Sequence, residues 1–461
     1  MSALLVTFIA AATLAFGAVY PWGFWPVFGI AAAIGVTGLV RGGLPRSVRA
    51  LACGLAVLFV LVSFQTVPLP FHWLATLDPS LITLLQKYLV GFNGGDLQPA
   101  HSLSIEPTAT VVALAALASF AVYLLGLPNL LRSRTVRLLP GALAIFTVPL
   151  ALFGIVSRQQ INGLVYWFWK PHDGGGSGLS GPFINRNHFA GWMLMTVCVL
   201  IGSAIGQIER TQPFAKPGRH RLLAWVSSPD AASLLLTAGA SAIGTLSLIW
   251  TLSRSGILAL LIALVCFAWL MAGRRQLSAI GRIGIGATVV CVSIAAALWR
   301  GSSGNASFLT DPRDFFSRLD AWRDGWHLVR DFVWCGVGLN AYPTAMLFYQ
   351  TTHLDVYVAQ AHNDYLQLLA EGGLLVFIPA LLVMALLVRA VRRNLSAARP
   401  ESRGYWIRAG AAVGMIAIAA QEMVEFSLQI PANALLFCTL AALALAPVEG
   451  SSAERGPSRT A

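Results

Sequence analysis

The sequence predicts an all-α, polytopic integral membrane protein with about twelve transmembrane helices. Three observations carry that expectation. Hydrophobic residues make up 57% of the 461 and charged residues only 11%, against about 25% charged in a soluble domain, and the mean hydropathy is +0.71. The deficit of charge runs along the whole chain rather than flanking one anchor. Apolar runs of about 20 residues, the length that crosses the hydrocarbon core, recur twelve times with polar connections between them.

In chain order the runs lie near 3–20, 22–40, 50–68, 108–127, 138–156, 187–206, 231–250, 255–273, 281–299, 373–390, 405–424 and 431–447. The first has no small-residue cleavage site followed by a soluble chain, so it reads as a membrane helix and not a removed signal peptide. Only the turn Tyr20-Pro21-Trp22 separates it from the second. No internal repeat points to an inverted-repeat transporter. Of the six cysteines only Cys335 falls in a long polar loop, without an evident disulfide partner, and no CxxC or Cys/His spacing indicates zinc. No metal or cofactor is expected.

The net charge of +12 does not imply nucleic acid, because the basic residues are mostly single arginines between apolar blocks. They set topology instead. With the N-terminus in the cytoplasm, the inside connections hold 21 of the 31 lysines and arginines, clustered around 41–49, 132–137, 210–221, 274–282 and 389–408 and on the tail. Positive residues favour the cytoplasmic side, so both termini are expected there. The organisation that follows is a membrane domain over 1–299 with spans one to nine, a large, partly helical periplasmic loop over 300–372, spans ten to twelve over 373–447, and a cytoplasmic tail, 448–461.

Three outside segments are long: 69–107, 157–186 and 300–372. The last is the most polar, with His327, His353 and His362 among several arginines and aspartates, and a loop of this length usually carries function. Within it "FFSRLDAWRDGWHLVRDF" places Phe315, Leu319, Trp322, Trp326 and Val329 at helical spacing, one face of an amphipathic helix. Arg318 lies on that helix, either as an ion pair with Asp314 or as an anion contact. Arg254, in the short outside turn "TLSRSG", is either an interfacial arginine or an anion ligand supported by neighbouring hydroxyls and a helix start. Arg186 and His188 stand in "GPFINRNHFAGWM", where Asn185 or Asn187 suits a helix cap. His362 precedes "NDYLQLLAEGG", a short helix with Asn363 as cap and a break at Gly372-Gly373. An imidazole there can exchange a proton near neutral pH, with Asp364 or Glu371 as the candidate orienting acid.

"GPFINRNHFAGWM", "TLSRSG", "SRLDAWRDGW" followed by "CGVGLNAY", and "HNDYLQLLAEGGLL" occur in an order and membrane context that resemble the O-antigen ligase-like family. That family comprises O-antigen ligases, O-antigen and exopolysaccharide polymerases, and protein O-oligosaccharyltransferases. "SLSIEPTATVVALAAL" is similar too; the resemblance covers most of the chain and is most specific over about 180–380. It implies a glycosyltransferase of the bacterial inner membrane. The donor would be a glycan on undecaprenyl diphosphate, and the acceptor a hydroxyl of lipid A-core, of another lipid-linked glycan or of a protein Ser or Thr. The family's essential histidine matches His362 as general base, and its essential arginines match Arg254 and Arg318 at the diphosphate, with Arg186 as a further candidate. The implied reaction is a metal-independent, inverting displacement in the periplasm. The competing class is a transporter or flippase of lipid-linked saccharide. A flippase should line a route with charges inside its spans, whereas here the titratable residues gather at one side, with Glu422 and Glu425 near the outer end of the eleventh run.

Overall fold

The computed structural model describes residues 1–89, 92, 100–159, 164–171, 181–211, 225, 227–272, 313–352, 354, 357–398 and 402–447. The expected ninth span at 281–299, the loop start at 300–312 and His353 lie outside them. The helices are α1 (Ser2–Leu14), α2 (Pro21–Gly42), α3 (Arg49–Phe64), α4 (Phe71–Leu77), α5 (Pro79–Tyr88), α6 (Pro107–Gly126), α7 (Ser133–Gln159), α8 (Arg186–Thr211), α9 (Pro229–Trp250), α10 (Arg254–Ala272), α11 (Arg313–Asp331), α12 (Tyr342–Tyr349), α13 (Asp364–Ala397), α14 (Arg403–Gln421) and α15 (Pro431–Leu445).

Eight helices are long and apolar enough to cross a membrane: α2, α3, α6, α7, α8, α9, α10 and α13. These eight are counted among the described residues only, and one of the twelve expected runs, 281–299, lies outside them. The first apolar run does not continue to residue 20. Its helix stops at Leu14, and Gly17 turns the chain in the left-handed region at φ 72°. Thirteen residues at 1.5 Å each reach about 20 Å, short of a hydrocarbon core of about 30 Å. α15 is also short, at 15 residues.

Burial orders the bundle. The apolar window of α8 is 94% buried, whereas that of α13 is 22% buried. α8 is therefore the central helix, apolar all round because protein surrounds it. α13 offers Leu375, Ile378, Leu382 and Val388 outward, as a lipid-facing helix does. α8 and α14 touch backbone to backbone. A Cβ at Gly202 would fall 2.3 Å from the Trp406 carbonyl oxygen, and one at Gly410 would fall 2.5 Å from that of Cys198. Small residues permit such close approach between membrane helices.

A second core stands apart from the bundle. Leu74, Leu81 and Leu85, from the 69–107 segment, pack with Leu328, Phe332, Tyr342 and Met346 from the 300–372 segment. The two long loops thus share one small hydrophobic core, and Cys335 is buried there as a free thiol. The amphipathic helix forms as α11, but only part of the expected stripe is buried. Val329 packs into the second core beside Leu328, whereas Leu319 and Trp326 are 36% and 46% exposed. The aromatic part of the stripe is left lining a groove. Trp169, from the middle loop, packs against Phe16 and Tyr20 and donates to the Tyr20 hydroxyl, so it anchors the α1–α2 turn.

The loop and helix around Gly336 and Gly373 explain two motifs. Val337 and Gly338 donate to the carbonyls of Ala370 and Glu371, and Leu374 and Leu375 donate to those of Val333 and Trp334. The chains are so close that a Cβ at Gly336 would lie 2.3 Å from the Glu371 carbonyl oxygen, and one at Gly373 would lie 2.3 Å from that of Trp334. Both glycines also have positive φ, 65° and 57°. The expected helix break therefore falls at Gly373, inside α13.

The helix directions put the starts of α8, α10, α13 and α15 at one end with the second core, and the described arginines near 41–49, 132–137 and 389–393 at the other. Under positive-inside bias the first end is expected to be the outer one. Starting from a Cys53→Ser background, Leu354→Cys, at a site 78% exposed, is expected to react with a membrane-impermeant maleimide in intact spheroplasts. Ser396→Cys, near the end of α13, should react only after lysis. The opposite labelling pattern would invert the protein in the membrane.

Candidate functional site

Three of the polar residues singled out in the sequence, Asn187, Arg318 and His362, meet at one buried carboxylate, Glu425, in the connection between α14 and α15. Its Oε1 accepts from Asn187 Nδ2 at 2.6 Å, from Arg318 Nη2 at 2.7 Å and from Ser255 Oγ at 3.4 Å. Its Oε2 lies 3.7 Å from His362 Nδ1, an electrostatic contact beyond hydrogen-bond length. Arg318 also donates through Nη1 to the Val424 carbonyl. Glu425 is 0% exposed, whereas the side chains of His362 and Arg318 keep 34% and 23% exposure. The hub is sealed, but the groups it holds remain open to a substrate. Burial opposes ionisation of Glu425, yet the contact with His362 and the Arg318 guanidinium hold its carboxyl below the ordinary carboxylate range.

Each contributing segment has a local reason for its shape. In "GPFINRNHF" Asn185 is the cap, its Oδ1 accepting from the Asn187 amide at 2.8 Å. Asn187 is thereby free of capping, and its side chain reaches Glu425 instead. Arg186 is half-buried at the first position of α8. In "TLSRSG" Leu252 turns at φ 56°, and Ser253 caps α10 through its hydroxyl to the Gly256 amide at 3.2 Å. Arg254 therefore starts α10, half-buried, beside the Ser255 that touches Glu425. The starts of α8 and α10 bring their positive dipole ends to the same place.

His362 itself has φ 49°, a left-handed conformation uncommon outside glycine. Asn363 follows as the expected cap, accepting from the amides of Tyr365 and Leu366 at 3.1 and 3.0 Å. The His362 ring packs edge-on against Phe426 with centroids 4.9 Å apart, and His188 meets the same ring at 4.6 Å. Phe426 thus separates two imidazoles, of which His188 is buried.

The two acids expected to support His362 have other tasks. Asp364 accepts from Gln429 Nε2 at 2.7 Å. Glu371 accepts from the backbone amides of Asn340 and Tyr342 at 2.8 and 3.2 Å, holding the "GLNAY" loop. The carboxylate beside the imidazole is Glu425, 63 residues further along the chain. A signal for it existed: "QEMVEF" puts two acids between apolar runs at the end where the other polar groups gather.

Next to Asn363 lies a cavity of about 570 Å³, lined by Leu319, Trp322, Trp326, Tyr365, Leu366 and Phe377 among others. The Trp322 indole N–H donates to the Ala361 carbonyl at 2.9 Å and the Tyr365 hydroxyl to that of Ala419 at 2.8 Å. With these polar tips engaged, the aromatic residues turn mainly ring surface to the groove.

Residues 239–381 match the Wzy_C family, described as O-antigen ligase. The match spans α10, α11 and the His362 segment, and so includes Arg254, Arg318 and His362; Arg186 and Glu425 lie outside it. No curated protein matches the chain.

Proposed function

We propose, from the premise that residues 239–381 form an O-antigen ligase domain of a multi-pass membrane protein, that the chain moves a glycan from undecaprenyl diphosphate to an acceptor hydroxyl. The site of transfer is the outer face of the bacterial inner membrane. Membership implies glycosyl transfer of the ligase or polymerase type. The observation that carries the finer reading is convergence: an imidazole and an arginine from separate segments contact one buried carboxylate, and two helix starts bearing arginines meet it through Asn187 and Ser255.

In this reading His362 takes the proton from the acceptor hydroxyl, a poor nucleophile without a base. The oxygen attacks the anomeric carbon on the face opposite the diphosphate, and the bond to the phosphate oxygen breaks with inversion. Negative charge develops on the leaving diphosphate. Arg318, Arg254 and Arg186 supply charge-assisted donors for it, and the α8 and α10 N-termini supply backbone dipoles. The aromatic groove between α11 and α13 suits part of the polyprenyl chain, since its walls are ring and aliphatic surface. The acceptor is a lipid A-core hydroxyl in a ligase and a second lipid-linked glycan in a polymerase.

Reconstitution in vesicles with purified undecaprenyl-diphosphate-linked glycan tests the proposal. A new glycosidic product with release of undecaprenyl diphosphate is the expected result. Movement of intact donor across the bilayer without product would instead make the chain a transporter of lipid-linked saccharide.

A further inference from the structure

We infer that Glu425 is the positioning residue of the site: it holds the proton of His362 on Nδ1, leaving Nε2 as the atom that accepts the acceptor's proton, and it fixes Arg318 beside that imidazole. The inference rests on the glycosyl-transfer reading and adds to it a residue that lies outside the matched family region.

The geometry separates the two oxygens of this carboxylate. Oε1 is occupied by Asn187, Arg318 and Ser255. Oε2 has no hydrogen-bond partner although it is buried, and Nδ1 of His362 lies 3.7 Å from it. Nδ1 is likewise buried without a hydrogen-bond partner. Two buried polar atoms that face each other and lack other partners are a donor and an acceptor held slightly apart. Closure by about 0.8 Å would give an ordinary hydrogen bond, and active-site contacts often tighten only when substrate is bound. Because a carboxylate can only accept, Nδ1 must carry the hydrogen. Phe426 presses on the ring and limits its rotation.

The proton balance is complete. The acceptor O–H proton passes to Nε2 as the new glycosidic bond forms and the bond to diphosphate breaks. The resulting imidazolium is paired with Glu425 until Nε2 releases the proton to the departing diphosphate or to water. Through the same carboxylate Arg318 is held by two partners, Glu425 and the Val424 carbonyl, so its guanidinium is oriented before the donor arrives.

The test uses the full-length protein in vesicles. Glu425→Gln keeps an acceptor oxygen for Asn187 but removes the charge. Its kcat is expected to fall about 100-fold or more, the scale of misplaced general-base catalysis, while KM for the lipid-linked donor does not rise. Glu425→Asp, which restores charge but not reach, should recover part of the loss. A rise in donor KM that matches the loss in kcat, with no recovery in the aspartate variant, would mean that Glu425 is only structural. Parental kcat in Glu425→Gln while His362→Ala is inactive would overturn the inference and leave the base assignment standing. Parental transfer in both variants would overturn both. Should Glu425→Gln fail to fold, ¹⁵N NMR of histidine-labelled parent protein, with His362→Gln subtracted, decides. A neutral His362 protonated at Nδ1 supports the inference, and one protonated at Nε2 overturns it.

Discussion

His362→Ala is expected to insert normally and to lose transfer by about 10²- to 10⁴-fold, the range a general base contributes, or about 3–5 kcal/mol of barrier. Insertion should survive because the imidazole is one-third exposed and stands just before α13, outside the apolar part of that helix. The loss should fall on kcat, since a proton transfer is made only in the transition state. His327→Ala is the control: His327 is exposed on α11 and belongs to the same loop. Measured transfer in the reconstituted system, with lipid-linked donor accumulating in the His362 variant only, is the expected outcome. Equal loss in both variants, or full transfer by His362→Ala, would remove His362 from the role of base.

Arg318→Lys and Arg254→Lys are expected to lower transfer about 30- to 1000-fold, equivalent to roughly 2–4 kcal/mol for one contact that strengthens in the transition state. Both variants retain positive charge, so the prediction concerns geometry. Arg318 uses one terminal nitrogen on Glu425 and the other on the Val424 carbonyl. Lysine has a single ammonium and cannot present the same planar fork. A topological arginine should accept lysine almost freely, because both residues serve an interface. Arg392→Lys, exposed in the last turns of α13 at the opposite end of the bundle, is the comparison and should match the parent. If all three lysine variants transfer glycan at the parental rate, the diphosphate clamp is wrong.

The sequence by itself determined the all-helical membrane character, because that rests on a local quantity: runs of apolar side chains long enough for a bilayer, separated by polar connections. Capping was local in the same sense. Asn363 and the Gly372-Gly373 break could be read from residue types, as cap acceptors and left-handed glycines act within a few residues. His362, Arg254, Arg318 and Arg186 stood out as a set through the ordered motifs that carry the family resemblance.

Tertiary structure alone decided which of these groups meet and through what. Glu425 escaped as the hub because its partners come from 187, 255, 318 and 362, separations at which chain order carries no distance. Asp364 and Glu371 were the nearer acids in sequence, yet one is bound by Gln429 and the other by the Asn340 and Tyr342 amides. The division of the α11 face had a related origin. Helical spacing reveals an apolar stripe, but which of its members bury, as Val329 does, depends on the shape of the second core, built jointly with the 69–107 segment. Span lengths were likewise set by geometry, as at Leu14, where the left-handed Gly17 ends a run whose hydropathy continues. Local propensity acts over a few residues, whereas a buried carboxylate takes its partners from whichever segments the packing brings within hydrogen-bond reach.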